Sequence, residues 1–228
     1  MKAVFRARTA IGALLVGVAA LVTPLVGATP AYALVVCPPN PAPGTTVNSN
    51  IYVPPGQVCT LDHNTVVGSI TVASGAELIV VAGTINGNVT SSGANSVFIE
   101  STRTDLFTIH GSVTLGGVGN PQECAGRIDG SLNISNIPAV PPPPLAPSPG
   151  CFGPAGSRLT IGGDLNVSSN HSFYSFTFTT TGGSLRVIGN TGGGLLINDV
   201  AGGDMICSNS PPWVGGTLSA AGRNTCPG

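Results

Sequence analysis

The sequence predicts an all-β, single-domain protein: a right-handed parallel β-helix of about seven coils with disulfide-stapled terminal caps. The first observation is a repeat of apolar residue, any residue, glycine, small polar residue and apolar residue, anchored on glycines spaced by 19, 24, 19, 33, 20 and 20 residues. A period near twenty residues is typical of a solenoid. The second is the alternation of apolar and polar residues within each copy, which predicts strands with one buried face. The anchoring glycines are Gly68, Gly87, Gly111, Gly130, Gly163, Gly183 and Gly203.

The N-terminal residues 1–33 are predicted to be a signal peptide. Basic residues come first, an apolar stretch over 11–22 follows, and Ala31-Tyr32-Ala33 has the small-x-small pattern of a cleavage site. The alternative is a membrane anchor, but the apolar stretch is short and rich in glycine, and Pro24 follows it closely. We therefore predict a secreted or cell-surface protein with no membrane span after cleavage.

The charge of the remaining chain excludes some partners. Residues 34–228 contain no Lys, five Arg and nine acidic residues, which gives a formal charge of −4. The arginines are spread singly, whereas nucleic-acid binding needs clustered cations to neutralise phosphates. We expect neither nucleic acid nor an anionic membrane as partner.

The domain is divided by where the repeat begins and ends. Residues 34–65 are predicted to be an N-terminal cap, 66–206 the coils, and 207–228 a C-terminal cap with Trp213 as its apolar plug. A proline-rich loop at 137–151 should leave the coils, because proline donates no backbone hydrogen bond. The register predicts that Ile85, Val89, Val113, Leu132, Leu165 and Leu185 are buried and that Asn88, Thr90 and Asn166 are exposed.

The six cysteines of the chain all lie after the predicted signal peptide. An even number in an exported chain indicates disulfides, and six cysteines allow fifteen connectivities. Each sequential pair brackets a segment without the repeat, so we predict Cys37–Cys59, Cys124–Cys151 and Cys207–Cys226. No two cysteines are closer than 19 residues, which disfavours a zinc site. We predict no metal and no cofactor.

Two groups of residues have the composition of a catalytic site. Asp164 and Asp204 occupy the same coil position two coils apart, with Ser184 between them, and are spaced for an inverting carboxylate pair at about 9.6 Å. The simpler interpretation is two solvated acids on a polar surface. Ser112, His110 and Asp129 have the composition of a hydrolase triad, but no nucleophile elbow or oxyanion hole accompanies them. A surface hydrogen-bonded pair is the simpler interpretation here too.

A flat face of small hydroxyl and amide groups is the candidate for binding. The outward positions after each glycine repeat in every coil, and such a face can match another regular lattice, so glycan, cell-wall polymer and ice are candidate ligands. The alternative is that small polar residues simply suit an exposed strand. The predicted binding residues are Ser69, Thr71, Asn88, Thr90, Ser112, Thr114, Ser131 and Asn133, continued by Asp164 and Asn166.

The repeat, the paired terminal cysteines and the ending GDMICSNSPP...GRNTC resemble a group of small exported β-solenoid proteins of actinobacteria. The resemblance implies a fold and a compartment but no reaction, and the insert with Cys124 and Cys151 departs from it. We predict a non-enzymatic structural or surface-interaction protein that binds cell-wall or other extracellular glycan. The alternative is a polysaccharide lyase or glycoside hydrolase of the β-helix type.

Overall fold

The computed structural model describes residues 33–102, 104–123, 125–139, 158–172, 174–208, 212–215 and 217–226, with the backbone alone at 122–123 and 212–215. All regular elements in these ranges are strands. They are β1 Leu34–Val36, β2 Thr46–Val47, β3 Asn50–Val53, β4 Val58–Asp62, β5 Thr65–Val66, β6 Ile70–Val72, β7 Glu77–Val81, β8 Gly83–Ile85, β9 Val89–Ser92, β10 Ser96–Glu100, β11 Phe107–Ile109, β12 Val113–Gly116, β13 Asn120–Glu123, β14 Gly126–Ile128, β15 Leu132–Ser135, β16 Leu159–Ile161, β17 Leu165–Ser168, β18 Tyr174–Thr177, β19 Thr180–Thr181, β20 Leu185–Ile188, β21 Gly194–Ile197, β22 Val200–Ala201, β23 Met205–Ser208, β24 Pro212–Gly215 and β25 Ser219–Ala220.

The coils stack along one axis, and equivalent strands of successive coils pair into parallel sheets. Sheet A has nine strands in the order β1-β3-β6-β9-β12-β15-β17-β20-β23, and sheet B has nine in the order β2-β5-β8-β11-β14-β16-β19-β22-β25. The third side is made by sheet C, β4-β7-β10-β13, and by sheet D, β18-β21-β24. The predicted all-β parallel solenoid is confirmed, with about eight turns rather than about seven. The predicted right-handed winding rests on the usual hand of parallel crossovers and stays a prediction.

The additional turn arises because the coil pattern continues beyond the first and the last of the predicted repeat glycines. A Cβ atom on Gly68 would meet Ser49 O at 2.6 Å, so Ser49 occupies the glycine position one turn earlier. Gly222 occupies it at the other end, packed against Asp204 and Gly203. The segments 34–65 and 207–228, predicted as caps, therefore contribute strands to the sheets as well as covering their ends.

The core is a single apolar column inside the coils. All the residues predicted to be buried are at most 2% exposed. Asn88 and Thr90 are exposed as predicted, whereas Asn166 points outward but is half-buried, because its Nδ2 donates to Asn133 Oδ1 at 2.8 Å in the preceding coil. The register that the alternation predicted is confirmed.

The repeat glycine is required because the backbones of successive coils touch there. Gly130 N donates to Gly111 O at 3.0 Å. A Cβ atom on Gly130 would collide with Ser112 Oγ and lie 2.8 Å from Gly111 O. Any larger side chain would push the two coils apart at this corner.

The terminal disulfides close the two ends. Cys37–Cys59 and Cys207–Cys226 are present, with Cα atoms 5.5 and 4.7 Å apart, so both predicted pairings are confirmed. Disulfides of this kind indicate an oxidising compartment. The predicted Cys124–Cys151 bond, the signal peptide up to residue 32, residues 140–151 of the proline-rich loop and the Trp213 side chain lie outside the described part of the chain.

Candidate functional site

A ladder of side-chain oxygens runs along one corner of the solenoid, at the position after each repeat glycine. Each oxygen accepts a hydrogen bond from the backbone N–H of its counterpart one coil later, at 2.7–3.2 Å. We call this set the corner ladder; its members are Asn50, Ser69, Asn88, Ser112, Ser131, Asp164, Ser184 and Asp204, and Arg223 donates the last bond. These side chains satisfy backbone donors that the strands leave unpaired at the turn.

The corner ladder divides the predicted binding residues into two groups. Ser69, Asn88, Ser112 and Ser131 belong to the ladder, and their oxygens are already used between coils. The other group lies on the outer surface of sheet A, where the register places its members in one column, which we call the face column: Tyr52, Thr71, Thr90, Thr114, Asn133, Asn166 and Arg186.

The face column presents hydroxyl groups to solvent over three successive coils. Thr71, Thr90 and Thr114 are exposed. Thr90 Oγ1 has only a long contact of 3.4 Å to Ile70 O, and among the described residues the hydroxyls of Thr71 and Thr114 have no hydrogen-bond partner. The neighbouring outward column is small, with Ala73, Ser92, Gly116, Ser135 and Ser168. From β6 to β17 these outward positions therefore carry small side chains, which can donate and accept hydrogen bonds at a regular spacing.

Tyr52 precedes Thr71 in the face column, in register with the outward Val36 of β1, and was missed by sequence reasoning. Its half-buried ring borders an open depression whose other walls include Thr71, Ala73, Thr90 and Ser92. An aromatic ring beside hydroxyl groups combines an apolar platform with hydrogen-bonding groups. The signal was available in the sequence, because Ser49-Asn50-Ile51-Tyr52 repeats the coil pattern with serine in the place of glycine.

Sheet B carries a second row of outward threonines that sequence reasoning also missed. Its strands place one outward column in register, consisting of Thr46, Thr65, Thr84, Thr108, Arg127, Thr160, Thr180, Val200 and Ser219. Arg127 breaks the row near its middle. The sequence signal was the threonine three residues before most repeat glycines, as in TVVG and TING.

The triad-like group is brought together only in part. His110 Nδ1 lies 2.6 Å from Asp129 Oδ2, as the coil stacking predicted. Arg127 Nε binds the other carboxylate oxygen, a contact that sequence reasoning missed. The hydrogen bond from His110, with help from Arg127, holds the pKa of Asp129 below its ordinary value. Ser112 Oγ instead accepts from Ser131 N at 3.0 Å, and no hydrogen bond between Ser112 and His110 is found among the described residues.

The two carboxylates considered as an inverting pair both belong to the corner ladder. Asp164 Oδ1 accepts from Ser184 N at 2.7 Å, and Asp204 Oδ1 accepts from Arg223 N at 2.9 Å. Their second oxygens face Arg186 and Arg223 at 3.5 and 3.9 Å. Each carboxylate is thus held by the next coil rather than directed at a shared cleft.

The remaining histidines have local partners. His63 Nδ1 lies 2.5 Å from Asp62 Oδ1, and its Nε2 lies 3.5 Å from Asp105 Oδ2; the hydrogen bond with Asp62, followed by the Asp105 carboxylate, raises the pKa of His63. His171 Nδ1 lies 2.8 Å from Thr191 Oγ1. Within the described ranges, no group of three or more His, Cys, Asp or Glu residues is arranged to hold a metal ion.

Comparison with known proteins gives no further guide to the site. No protein-family model, no curated protein and no solved structure matches the chain. The resemblance to exported actinobacterial solenoids therefore stays a prediction. The described ranges contain no helix of the length and apolarity needed to cross a membrane.

Proposed function

We propose that the protein is an exported, non-enzymatic surface-interaction protein that binds cell-wall or other extracellular glycan through the outer face of sheet A. The single observation that supports this proposal is the face column, where exposed hydroxyls of Thr71, Thr90 and Thr114 repeat in register beside the ring of Tyr52. A polymer of sugar units presents hydroxyl groups at regular intervals and can meet such a column at several points at once. Weak contacts repeated along one chain add up by multivalency.

The lack of cationic side chains is compatible with a neutral glycan. On sheet A, the outward positions carry no charge from Tyr52 to Asn166, and the first charged residue of the face column is Arg186. Neutral sugars bind through hydrogen bonds and through stacking of their apolar faces on aromatic rings. Tyr52 is the aromatic residue of the column and Thr114 lies at its centre, so these two side chains are the ones to change.

Binding to insoluble polymers tests the proposal. The purified protein is mixed with peptidoglycan, chitin or cellulose, and the fraction removed by sedimentation is measured against Thr114→Lys and Tyr52→Ala variants. Lys in the column would project from the flat face and hold the polymer away, so we expect at least about tenfold weaker binding to one polymer. Thr108→Lys, the same substitution on sheet B, is the matched control and should bind as well as the unaltered protein.

Three outcomes would overturn the proposal. Binding to none of the polymers would remove the proposed ligand class. Loss of binding in Thr108→Lys but not in Thr114→Lys would transfer the site to sheet B. Release of soluble sugars from any of the polymers would favour the β-helix polysaccharide enzyme instead.

A further inference from the structure

The two edge strands of sheet A differ in whether another segment of the chain covers them. At the C-terminal end, the segment 222–226 covers the last strand, β23: Met205 N donates to Arg223 O at 2.8 Å, and Thr225 N donates to Met205 O at 2.9 Å. At the N-terminal end, β1 pairs with β3 on one side, and none of the described residues pairs with its other side. Within the described residues, sheet A therefore has one covered edge and one open edge.

The N-terminal end is also protected unevenly around the solenoid. The proline-containing segment 38–45 runs across the edge of β4, where Asn40 Oδ1 accepts from Thr60 N at 3.0 Å and Gly44 N donates to Asp62 O at 2.9 Å. Proline resists pairing by a further strand. No such segment covers β1 in the part of the chain that the structure describes.

The open edge of β1 is apolar on both of its faces. Leu34 and Val36 project outward and are 63% and 48% exposed. Val35 is in register with Ile51 of the core column, yet it is 38% exposed because no described turn lies beyond it. An exposed apolar strand edge is a template for another strand.

The backbone of β1 has groups without a hydrogen-bond partner among the described residues, and their positions follow from its pairing with β3. Ala33 O accepts from Asn50 N, and Cys37 N donates to Tyr52 O, both at 2.9 Å. Backbone groups alternate sides along a strand, so the N–H and C=O of Val35 face β3 while those of Leu34 and Val36 face the open edge. An antiparallel strand centred opposite Val35 would satisfy all of these groups.

The absence of charged side chains near β1 favours β1 of a second copy as the strand that pairs with its edge. Residues 33–61 contain no acidic, basic or histidine side chain, so a second copy of this end can approach without repulsion between side chains. If the predicted signal peptide is removed after Ala33, Leu34 gains a free amino group. This amino group would face the carbonyl of Val36 in the second copy, and the carbonyl can accept a hydrogen bond from it. Two-fold dimers, in which one surface meets itself, are the commonest closed assemblies.

We propose that two copies join end to end through β1, with a two-fold axis at Val35. Leu34 of each copy exchanges its backbone hydrogen bonds with Val36 of the other, and the two Val35 side chains meet between the open ends of the cores. Sheet A then continues from one copy into the next without a break. The proposal does not depend on the glycan proposal, because it concerns only the association of the chain with itself.

Introducing a charged side chain at Val35 tests the proposal. The variants Val35→Lys and Val35→Glu each place like charges opposite one another at the axis, so we expect the dimer dissociation constant, measured by sedimentation velocity over a concentration series, to rise at least about tenfold. An equal mixture of the two variants should recover the dimer, because the charges then pair. Leu106→Lys, at another exposed leucine, is the matched control and should dimerise like the unaltered protein.

The possible results separate clearly. Unchanged melting temperatures of the Val35 variants show that their folds are intact, since Val35 is partly exposed in the single copy. A monomeric unaltered protein at all concentrations overturns the proposal, as does a Val35→Lys variant that dimerises normally. A mixture that stays monomeric rules out the register centred on Val35.

Discussion

Asp199 places a carboxyl group inside the C-terminal half of the solenoid. Its side chain is 0% exposed. Oδ1 accepts a hydrogen bond from Thr179 N at 2.8 Å, whereas Oδ2 is buried and has no partner among the described residues. Burial disfavours the charged form and raises the pKa of Asp199 to about 6, although the backbone hydrogen bonds oppose the shift.

This buried carboxyl should make the protein more stable in mild acid. The folded pKa of about 6 lies above the ordinary value of 3.8, so the folded state binds the proton more tightly than the unfolded state. The stabilisation is complete below the unfolded pKa and is lost as the pH rises through about 6. Replacing Asp199 with Asn should raise the free energy of unfolding at pH 7 by up to about 3 kcal/mol and change it little at pH 4.

Denaturant unfolding at both pH values, on Asp199→Asn and the unaltered protein, measures the difference. The conservative change Glu77→Gln, at a half-buried glutamate whose side chain has no hydrogen bond or ion pair among the described residues, serves as control. If the two stability curves run parallel between pH 4 and pH 7, the burial of an ionisable Asp199 is wrong.

Ser112 shows how a residue can resemble a nucleophile and serve the fold. Its Oγ accepts from Ser131 N, so Ser112→Ala should leave that donor unpaired and lower the free energy of unfolding by about 1 kcal/mol. Ser92→Ala, at an exposed serine outside the corner ladder, should have almost no effect. We also expect no labelling of Ser112 by a fluorophosphonate probe; labelling in the folded protein would restore the hydrolase interpretation.

Among the elements, the strands of sheets A and B were predictable and the corner ladder was not. Alternation around each repeat glycine indicates which residues enter the core, because a strand has period two. The same pattern placed Ser69 and Asn88 outside the core correctly, but it cannot distinguish a side chain facing solvent from one turned along the axis toward the next coil. That distinction depends on the position of an unpaired N–H at the corner, which only the folded backbone provides.

The terminal disulfide at the C-terminal end should hold the last turn in place. Cys207 lies in β23, and Cys226 follows the segment that covers the edge of this strand. Replacing both cysteines with Ser should release that segment, and the chain-entropy model gives a loss of roughly 3 kcal/mol. Hydrogen exchange should become faster at Met205, Cys207 and Thr225, the amides bonded across this edge.

Exchange in the N-terminal coils is the internal control for that measurement. Because each coil contacts only its neighbours, loss of the last turn should not reach Ile51 or Ile70. Equal acceleration at both ends would mean that the solenoid unfolds as one unit and that the disulfide does not act locally.

For the whole molecule, export stays a prediction, because the described residues do not include the predicted signal peptide up to residue 32. The bonds Cys37–Cys59 and Cys207–Cys226 need an oxidising environment, and residues 1–33 have the pattern of a signal peptide. When the full chain is produced in a host that exports it, N-terminal sequencing of the recovered protein should begin at Leu34. A product that retains Met1, or that begins elsewhere, would contradict the predicted cleavage site.

At the scale of the whole molecule, the proposed binding face was less predictable than the fold, for a physical reason. A flat face has no cleft in which a few residues must converge, so the sequence contains no short motif for it. Thr71, Thr90 and Thr114 were recognised because they repeat with the coil, whereas Tyr52 was missed because its coil has Ser49 instead of glycine. The His110–Asp129 contact was predicted from the same repeat. Arg127 was missed because its contact with Asp129 lies within one coil, and a comparison of successive coils does not reveal such a contact.

The column of repeat glycines has a consequence for how such a chain can change in evolution. Gly163, Gly183 and Gly203 mark successive turns whose backbones contact in the same way. Duplication or deletion of one such unit within the gene would present the same contacts to the turns on either side, because interactions extend only to neighbours. The molecule can therefore become longer or shorter by whole turns while both ends keep their structure, and the number of turns is open to selection independently of the fold.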